Sequence, residues 1–233
     1  MEATGICRRY GRRWAVVEVS FTLPEGSALM VSGRNGSGKS TLLRVLATAI
    51  RADRGTARVH GLDLRADREA VRRRVALLGH HSNLYEALSA LENLQVSARF
   101  LGRDPGRRAL GALLGEVGLE ERADDAVATF SAGMRKRLSL ARTLLQEASV
   151  VLLDEPYGQL DPPGFRLVDG VVSRLRGQGA TVLMATHQID HAAALCDHGL
   201  VLEEGRVAWR GRAADLPAEG GLVAVGLPEG ASA

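Results

Sequence analysis

The sequence is poor in several things, and each shortage excludes something. Aromatic residues make up 4% of the 233 residues, so the core must be built from Leu, Val, Ala and Ile. No stretch approaches the roughly 18 uninterrupted apolar residues of a membrane-spanning helix. The opening segment, MEATGICRRYGRRW, lacks the apolar block of a secretory leader, and the expectation is a chain made and kept in the cytosol. Cys7 and Cys196 are too few for a disulfide framework and have no metal-ligand spacing between them. Lys39 and Lys136 are the only lysines, so arginine carries nearly all the positive charge. The net charge is +3, and charges of both signs are interspersed. That fits a mildly basic soluble protein better than a nucleic-acid or membrane-surface binder.

What is present is a recurring short apolar run: ALMVS (28–32), VALL (75–78), VVLL (150–153), TVLMA (181–185) and LVLE (200–203). Such runs, bounded by turn residues, predict strands buried on both faces. Helical periods lie between them. KSTLLRVLATAI places Leu42, Leu43, Leu46 and Ile50 on one face; MRKRLSLARTLL and FRLVDGVVSRLRGQG read similarly, the latter stopping at Gly177 and Gly179. Strands alternating with helices predict a parallel sheet covered on both sides. Two segments, ICRRYGRRWAVVEVSFTLPEG and a hairpin around Glu204-Gly205, read as antiparallel strands beside that sheet. Residues 84 to 146 hold helical segments and no convincing strand, which predicts an α-helical insertion. The Gly-, Ala- and Pro-rich stretch after about Leu216 predicts a loosely packed tail.

Three segments carry chemistry. GRNGSGKST (33–41) fits G-x-x-x-x-G-K-[ST] between a predicted strand and a predicted helix, the context in which the pattern has meaning. Gly33, Gly36 and Gly38 let the backbone curl with its N–H groups toward an anion, alongside Arg34, Asn35, Ser37 and Thr41. Lys39 can reach phosphates, and Ser40 can ligate Mg²⁺. VVLLDEP (150–156) puts Asp154 and Glu155 at the end of an apolar strand, where a buried charge needs a metal or hydrogen bonds. Asp154 suits a Mg²⁺-associated acid and Glu155 a group that polarises water; a pair of solvated loop acids is the blander alternative. In TFSAGMRKRLSLARTLL (129–145), Ser131 reads as a helix N-cap, or, with Gly133, as a second phosphate-binding helix start.

The order of P-loop, Ser-x-Gly helix start, Asp-Glu strand, QLD and TH resembles the ATP-binding subunit of an ABC transporter. The resemblance covers the chain through about residue 212. It implies an α/β fold: a P-loop NTPase core with a parallel sheet, an antiparallel β-layer and an α-helical subdomain. The divisions implied are 1–79 and 148–212 for the two parts of the core, 80–147 for the helical subdomain and 213–233 for the tail. It implies ATP and Mg²⁺ as cofactors, with Ser40 and Asp154 on the metal, and an ATPase coupled to transport. SAGM (131–134) resembles the family signature, whose Ser131 and Gly133 would contact the nucleotide of an opposed subunit in a homodimer. Asp161 of GQLD matches the acid of the loop crossing that interface, and His187 the switch histidine. Tyr10 matches the aromatic on adenine, with Trp14 a nearby competitor. The departures are Ala132 for the usual Gly and Met134 for the usual Gln.

His80 and His81 stand where that family usually has one glutamine, at His80. That glutamine lies near Mg²⁺ and couples the site to the membrane subunit, so the resemblance implies a variant nucleotide-sensing loop, with a purely structural His pair as the alternative. Adjacent residues of an extended segment point to opposite sides, so the pair is not expected to share a metal. His187 and His191 have a spacing that could suit a metal, but no ligand set closes around them. His80 in that loop resembles haem-exporter subunits of cytochrome c maturation. The alternative is a general exporter of drugs, polysaccharide or lipid-like molecules. A soluble nucleic-acid-acting ABC ATPase would more often carry two cassettes or a long coiled coil, so no nucleic acid is expected. The resemblance implies integral membrane permease partners and a place on the cytoplasmic face of the membrane. The helical stretch from Leu84 to about Phe100 is expected to help receive them.

Overall fold

The computed structural model describes residues 1–216. Two long strands, β1 (Glu2–Tyr10) and β2 (Arg13–Thr22), open the chain as an antiparallel hairpin. Then β3 (Ala28–Ser32) leads through a glycine-rich loop into α1 (Lys39–Leu46). A second hairpin, β4 (Arg54–Val59) and β5 (Leu62–Asp63), precedes the short helix α2 (Arg68–Arg72) and β6 (Val75–Leu78). Helices α3 (Ala90–Phe100), α4 (Gly106–Glu116) and α5 (Ala132–Leu144) follow. The chain returns through β7 (Val150–Asp154), α6 (Pro162–Gly177), β8 (Thr181–Ala185) and α7 (Ile189–Leu195). A last hairpin joins β9 (His198–Glu203) to β10 (Arg206–Arg212).

The main sheet has the order β10-β9-β3-β8-β7-β6, parallel except for β10. Every residue of β3, β7 and β8 is buried, because both faces are covered. Their side chains still alternate. Met30, Leu153 and Met184 join the core shared with the helical region and α6, whereas Val31, Leu152 and Leu183 join a second core with α1 and the antiparallel layer. That layer has the order β2-β1-β4-β5. The carboxyl ends of β3, β7 and β8 lie side by side, with Val31 and Asp154 both registered to Ala185. Ligand sites of parallel sheets form outside such ends.

The α/β architecture is as expected from the sequence, with three differences. The hairpin at Glu204-Gly205 does not lie beside the main sheet: β9 pairs in parallel with β3 and only β10 forms its antiparallel edge. β4, β5 and α2 were not anticipated; β4 alternates exposed and buried only at its end and carries a Gly, which weakens its pattern. The stretch from Leu84 is not helical until Ala90. There Ser89 and Glu92 form a capping box, the Ser89 hydroxyl accepting from Glu92 N–H and the Glu92 carboxylate from Ser89 N–H. Residues 213–216 include a 3₁₀ turn with Ala213 buried; the rest of the expected tail lies outside the described residues.

Candidate active site

The loop after β3 is glycine-rich for steric reasons. At Gly33, with φ of 138°, an added Cβ would collide with the carbonyl oxygen of Leu202, and at Gly38, with φ of 106°, with that of Ala15. The loop is thus wedged between β9 and the start of β2, and Gly205 secures it: Gly205 N–H donates to the Ser37 carbonyl, while Val17 N–H donates to the Gly205 carbonyl. Gly36 also has positive φ, and Arg34 and Asn35 form the outer rim. Ser37 Oγ is buried with no hydrogen-bond partner, an orphaned donor within a loop whose composition suits an anion. Lys39 is 6% exposed, and its Nζ donates to the Gly33 and Arg34 carbonyls at 2.7 and 3.2 Å. Burial lowers its pKa, partly opposed by Glu155 and Asp154. Thr41 follows in the first turn of α1.

Asp154 ends β7 with 1% exposure. An unpaired carboxylate there would cost several kcal/mol, on the order of a strong ion-pair desolvation penalty. Ser40 Oγ donates to its Oδ1 at 2.8 Å. Glu155 turns sharply away with φ of 48°, rare for a residue with a Cβ, and its N–H donates to the Ala185 carbonyl at 2.8 Å. Its Oε2 lies 2.8 Å from His187 Nδ1. A carboxylate accepts, so in this contact Nδ1 carries the hydrogen. The carboxyl end of the sheet therefore gathers an ammonium, a hydroxyl, two carboxylates and an imidazole.

Sequence reasoning missed Lys136. It sits on α5 with 8% exposure, and its Nζ donates to the Asp154 carbonyl at 3.2 Å. Burial pushes its ammonium down to about 8, against the opposing pull of Asp154 and Glu155. No local sequence signal marks it; only the fold brings both lysines of the chain near this pair of acids. Also missed was a network behind the site. Tyr157 Oη donates to Asp169 Oδ1 at 2.7 Å, and His191 Nδ1 lies 3.1 Å from the other oxygen.

Ser131 is the N-cap of α5, its hydroxyl accepting from Met134 N–H at 3.2 Å. Gly133 abuts the neighbouring loop, where an added Cβ would come within 3.0 Å of the Gln159 carbonyl. Asp161 caps α6 by accepting from Gly164 N–H. Both helix starts are exposed at the tip. His80 and His81 do not point to opposite sides, as an extended segment would have them; their rings meet edge to face with centroids 5.4 Å apart. They line a cavity of about 230 Å³ with Lys136 and Gln159. Tyr10 is 47% exposed beneath the guanidinium of Arg8, whereas Trp14 is stacked by both Arg9 and Arg54. Among the described residues, no group of three or more His, Cys, Asp or Glu side chains is placed to hold a metal.

The sheet, the glycine-rich loop and the acids beside it define a nucleotide-binding ATPase of the cassette type. The chain belongs to the ABC transporter family, whose profile matches residues 16–158. It is similar to the daunorubicin/doxorubicin resistance ATP-binding protein DrrA of Streptomyces peucetius, 35% identical over 93% of this chain and 66% of that protein. DrrA3, a daunorubicin resistance ATP-binding protein of Streptomyces coeruleorubidus, is 39% identical over 93% of this chain and 69% of its own length. The Nod factor export ATP-binding protein I of Ralstonia nicotianae is 33% identical over 93% and 68%. The chain thus spans about two thirds of these relatives. Among solved structures, an ATP-binding subunit of an ABC transporter superposes with a TM-score of 0.83 at 29% identity, covering 92% of this chain and 90% of that one. A dimeric bacterial ABC transporter cassette gives 0.83 at 25% identity, over 91% and 98%.

Proposed function

We propose that this chain is the ATP-hydrolysing subunit of an exporter for a drug-like, saccharide or lipid-like molecule. It works on the cytoplasmic face of the membrane with separate integral membrane permease subunits. The observation that carries the ATPase reading is the convergence of Lys39, the Ser40–Asp154 bond and the Glu155–His187 bond at the carboxyl end of the sheet. Loop residues 33–41 hold the phosphates of ATP, and Tyr10 offers the adenine a ring with fewer guanidiniums stacked on it than Trp14. Ser40 and Asp154 would hold Mg²⁺, which when bound supplies positive charge to the terminal phosphates. Glu155 takes a proton from the attacking water, and His187 orients that carboxylate and faces the transferred phosphate.

The exposed starts of α5 and α6 support a homodimer in which Ser131 and Gly133 close over the partner's nucleotide and Asp161 lies in the crossing loop. His80 lines the cavity between that helix and the loop before α3, a place from which nucleotide state can be passed to a membrane subunit. No helix of the described residues is long and apolar enough to cross a membrane. The cargo reading rests on the drug-resistance and Nod factor export relatives. None of those named concerns haem, so the narrower expectation drawn from His80 gives way to the general exporter.

The test is a strain whose only copy carries Lys39→Ala. It should become more susceptible to the exported compounds while still making c-type cytochromes, seen by haem staining. Loss of those cytochromes with unchanged susceptibility would return the assignment to haem. A purified wild-type chain without Mg²⁺-dependent ATP hydrolysis would remove the ATPase reading altogether.

A further inference from the structure

The run Met134–Arg137 on α5 carries three cations that go to different places. Arg135 donates to the carbonyls of Val127 and Ala128, and Arg137 to that of Gly118, so both tie α5 into the helical region. Lys136 alone turns to the sheet, where it bonds the last carbonyl of β7, one peptide before Glu155. The N-cap of the same helix, Ser131, is exposed at the tip. Five residue steps along the helix lead from one to the other, roughly 7 to 8 Å along the axis. A helix is stiff over that length, so a displacement of its tip must be felt at the Nζ–carbonyl bond.

We propose that Lys136 is a positioning residue that links the two ATP sites of the dimer, passing closure of α5 over the partner's nucleotide to the Asp154–Glu155 turn of its own site. The inference rests on the dimer reading given above. In such a dimer the tip of α5 serves one site and the carboxylates behind Lys136 serve the other. The bond to the Asp154 carbonyl sets the direction in which the Glu155 side chain leaves the strand. Lys136 needs no contact with ATP to do this.

The test uses the full chain with Lys136→Met and Lys136→Arg. Methionine keeps the apolar stem but removes a cation beside the buried Asp154, so thermal melts accompany the kinetics. Lys136→Met should bind ATP with unaltered affinity and lose kcat by roughly 10- to 100-fold, the scale of a misplaced catalytic group. The wild-type rate should rise sigmoidally with ATP, and in Lys136→Met that Hill slope should fall to 1. Lys136→Arg keeps a cation and donors, has the adjoining cavity of about 230 Å³ to accept the wider head, and should recover most of both. An unchanged kcat, a wild-type slope of 1, or a slope unaltered by the Met variant would overturn the proposal. So would a matched fall in affinity and thermal stability that arginine does not rescue, since that marks a purely structural lysine. The dimer reading is tested apart by Glu155→Gln with ATP in gel filtration; a monomer there removes the dimer itself, whatever Lys136 does.

Discussion

Glu155 Oε2 and His187 Nδ1 lie 2.8 Å apart although 32 positions separate the two residues in sequence. Parallel pairing of β7 with β8 brings them together, since Asp154 is in register with Ala185 and each strand turns one or two residues later. Glu155→Gln keeps the shape and an acceptor for His187 but removes the base. Affinity for ATP should stay within about twofold, and kcat should fall by about 10²- to 10⁴-fold, the usual worth of a positioned base. Phosphate release and equilibrium titration check this, and wild-type turnover in the variant would remove Glu155 from the role.

Lys39→Ala separates binding from stability. The ammonium is buried at some cost, as its lowered pKa records, so its loss should leave the melting temperature nearly unchanged. Nucleotide affinity should drop by more than about tenfold, or ~1.4 kcal/mol, because a charge-assisted contact to phosphate is gone. Calorimetric titration beside a thermal melt decides it; near-normal affinity would place the phosphates elsewhere.

The contrast between these residues and Lys136 shows what a sequence carries. ALMVS, VALL, VVLL and TVLMA were legible as strands because burial on both faces leaves an unbroken apolar run. Lys39, Ser40, Asp154 and Glu155 stand out as candidates in the sequence because their chemistry needs fixed spacing within one local segment. Lys136 does not, because it hides among the charges of an amphipathic helix and its partner lies 18 residues on. The face to which it turns is set by how α5 packs on the sheet. His80 and His81 failed for a related reason: the loop bends so that adjacent rings meet, which alternation in an extended strand does not describe.

Cys196 offers a pH readout. Burial pushes its thiol up to about 12, with Arg176 pulling the other way and Asp197 reinforcing the rise. In the unfolded chain the thiol ionises near its ordinary value, so the unfolded state loses its proton first as pH rises. The linked stability is therefore present below about pH 9 and is lost progressively toward pH 12. The chain should lose stability over that window more steeply than its Cys196→Ala variant, followed by urea unfolding at stepped pH. At pH 8 the folded protein should react slowly with a thiol reagent, because Cys7 and Cys196 are both buried. Parallel stability curves for the two proteins would contradict the linkage.

Asp169 ties together the segments that carry the two catalytic candidates. Tyr157 follows Glu155 by two residues and His191 follows His187 by four, and both bond the one carboxylate. Tyr157 is 1% exposed, and burial followed by Asp169 holds its hydroxyl far above its ordinary pKa, so it stays a donor. Asp169→Ala leaves that donor without an acceptor and should cost about 1–3 kcal/mol. For a chain of this size that lowers the melting temperature by roughly 2–4 °C per kcal/mol. Tyr157→Phe removes the donor instead and should cost about 1 kcal/mol. Once the hydroxyl is gone, Asp169→Ala has no orphan to create on that side, so the double variant should be less destabilised than the two single changes added together. Phosphate-release assays on the same proteins should show kcat falling in Asp169→Ala with ATP affinity retained, because the network sits behind Glu155 and His187 and away from the phosphate loop. Strict additivity in the melts would mean that the tyrosine and the aspartate act separately, and an unchanged kcat would confine the network to stability.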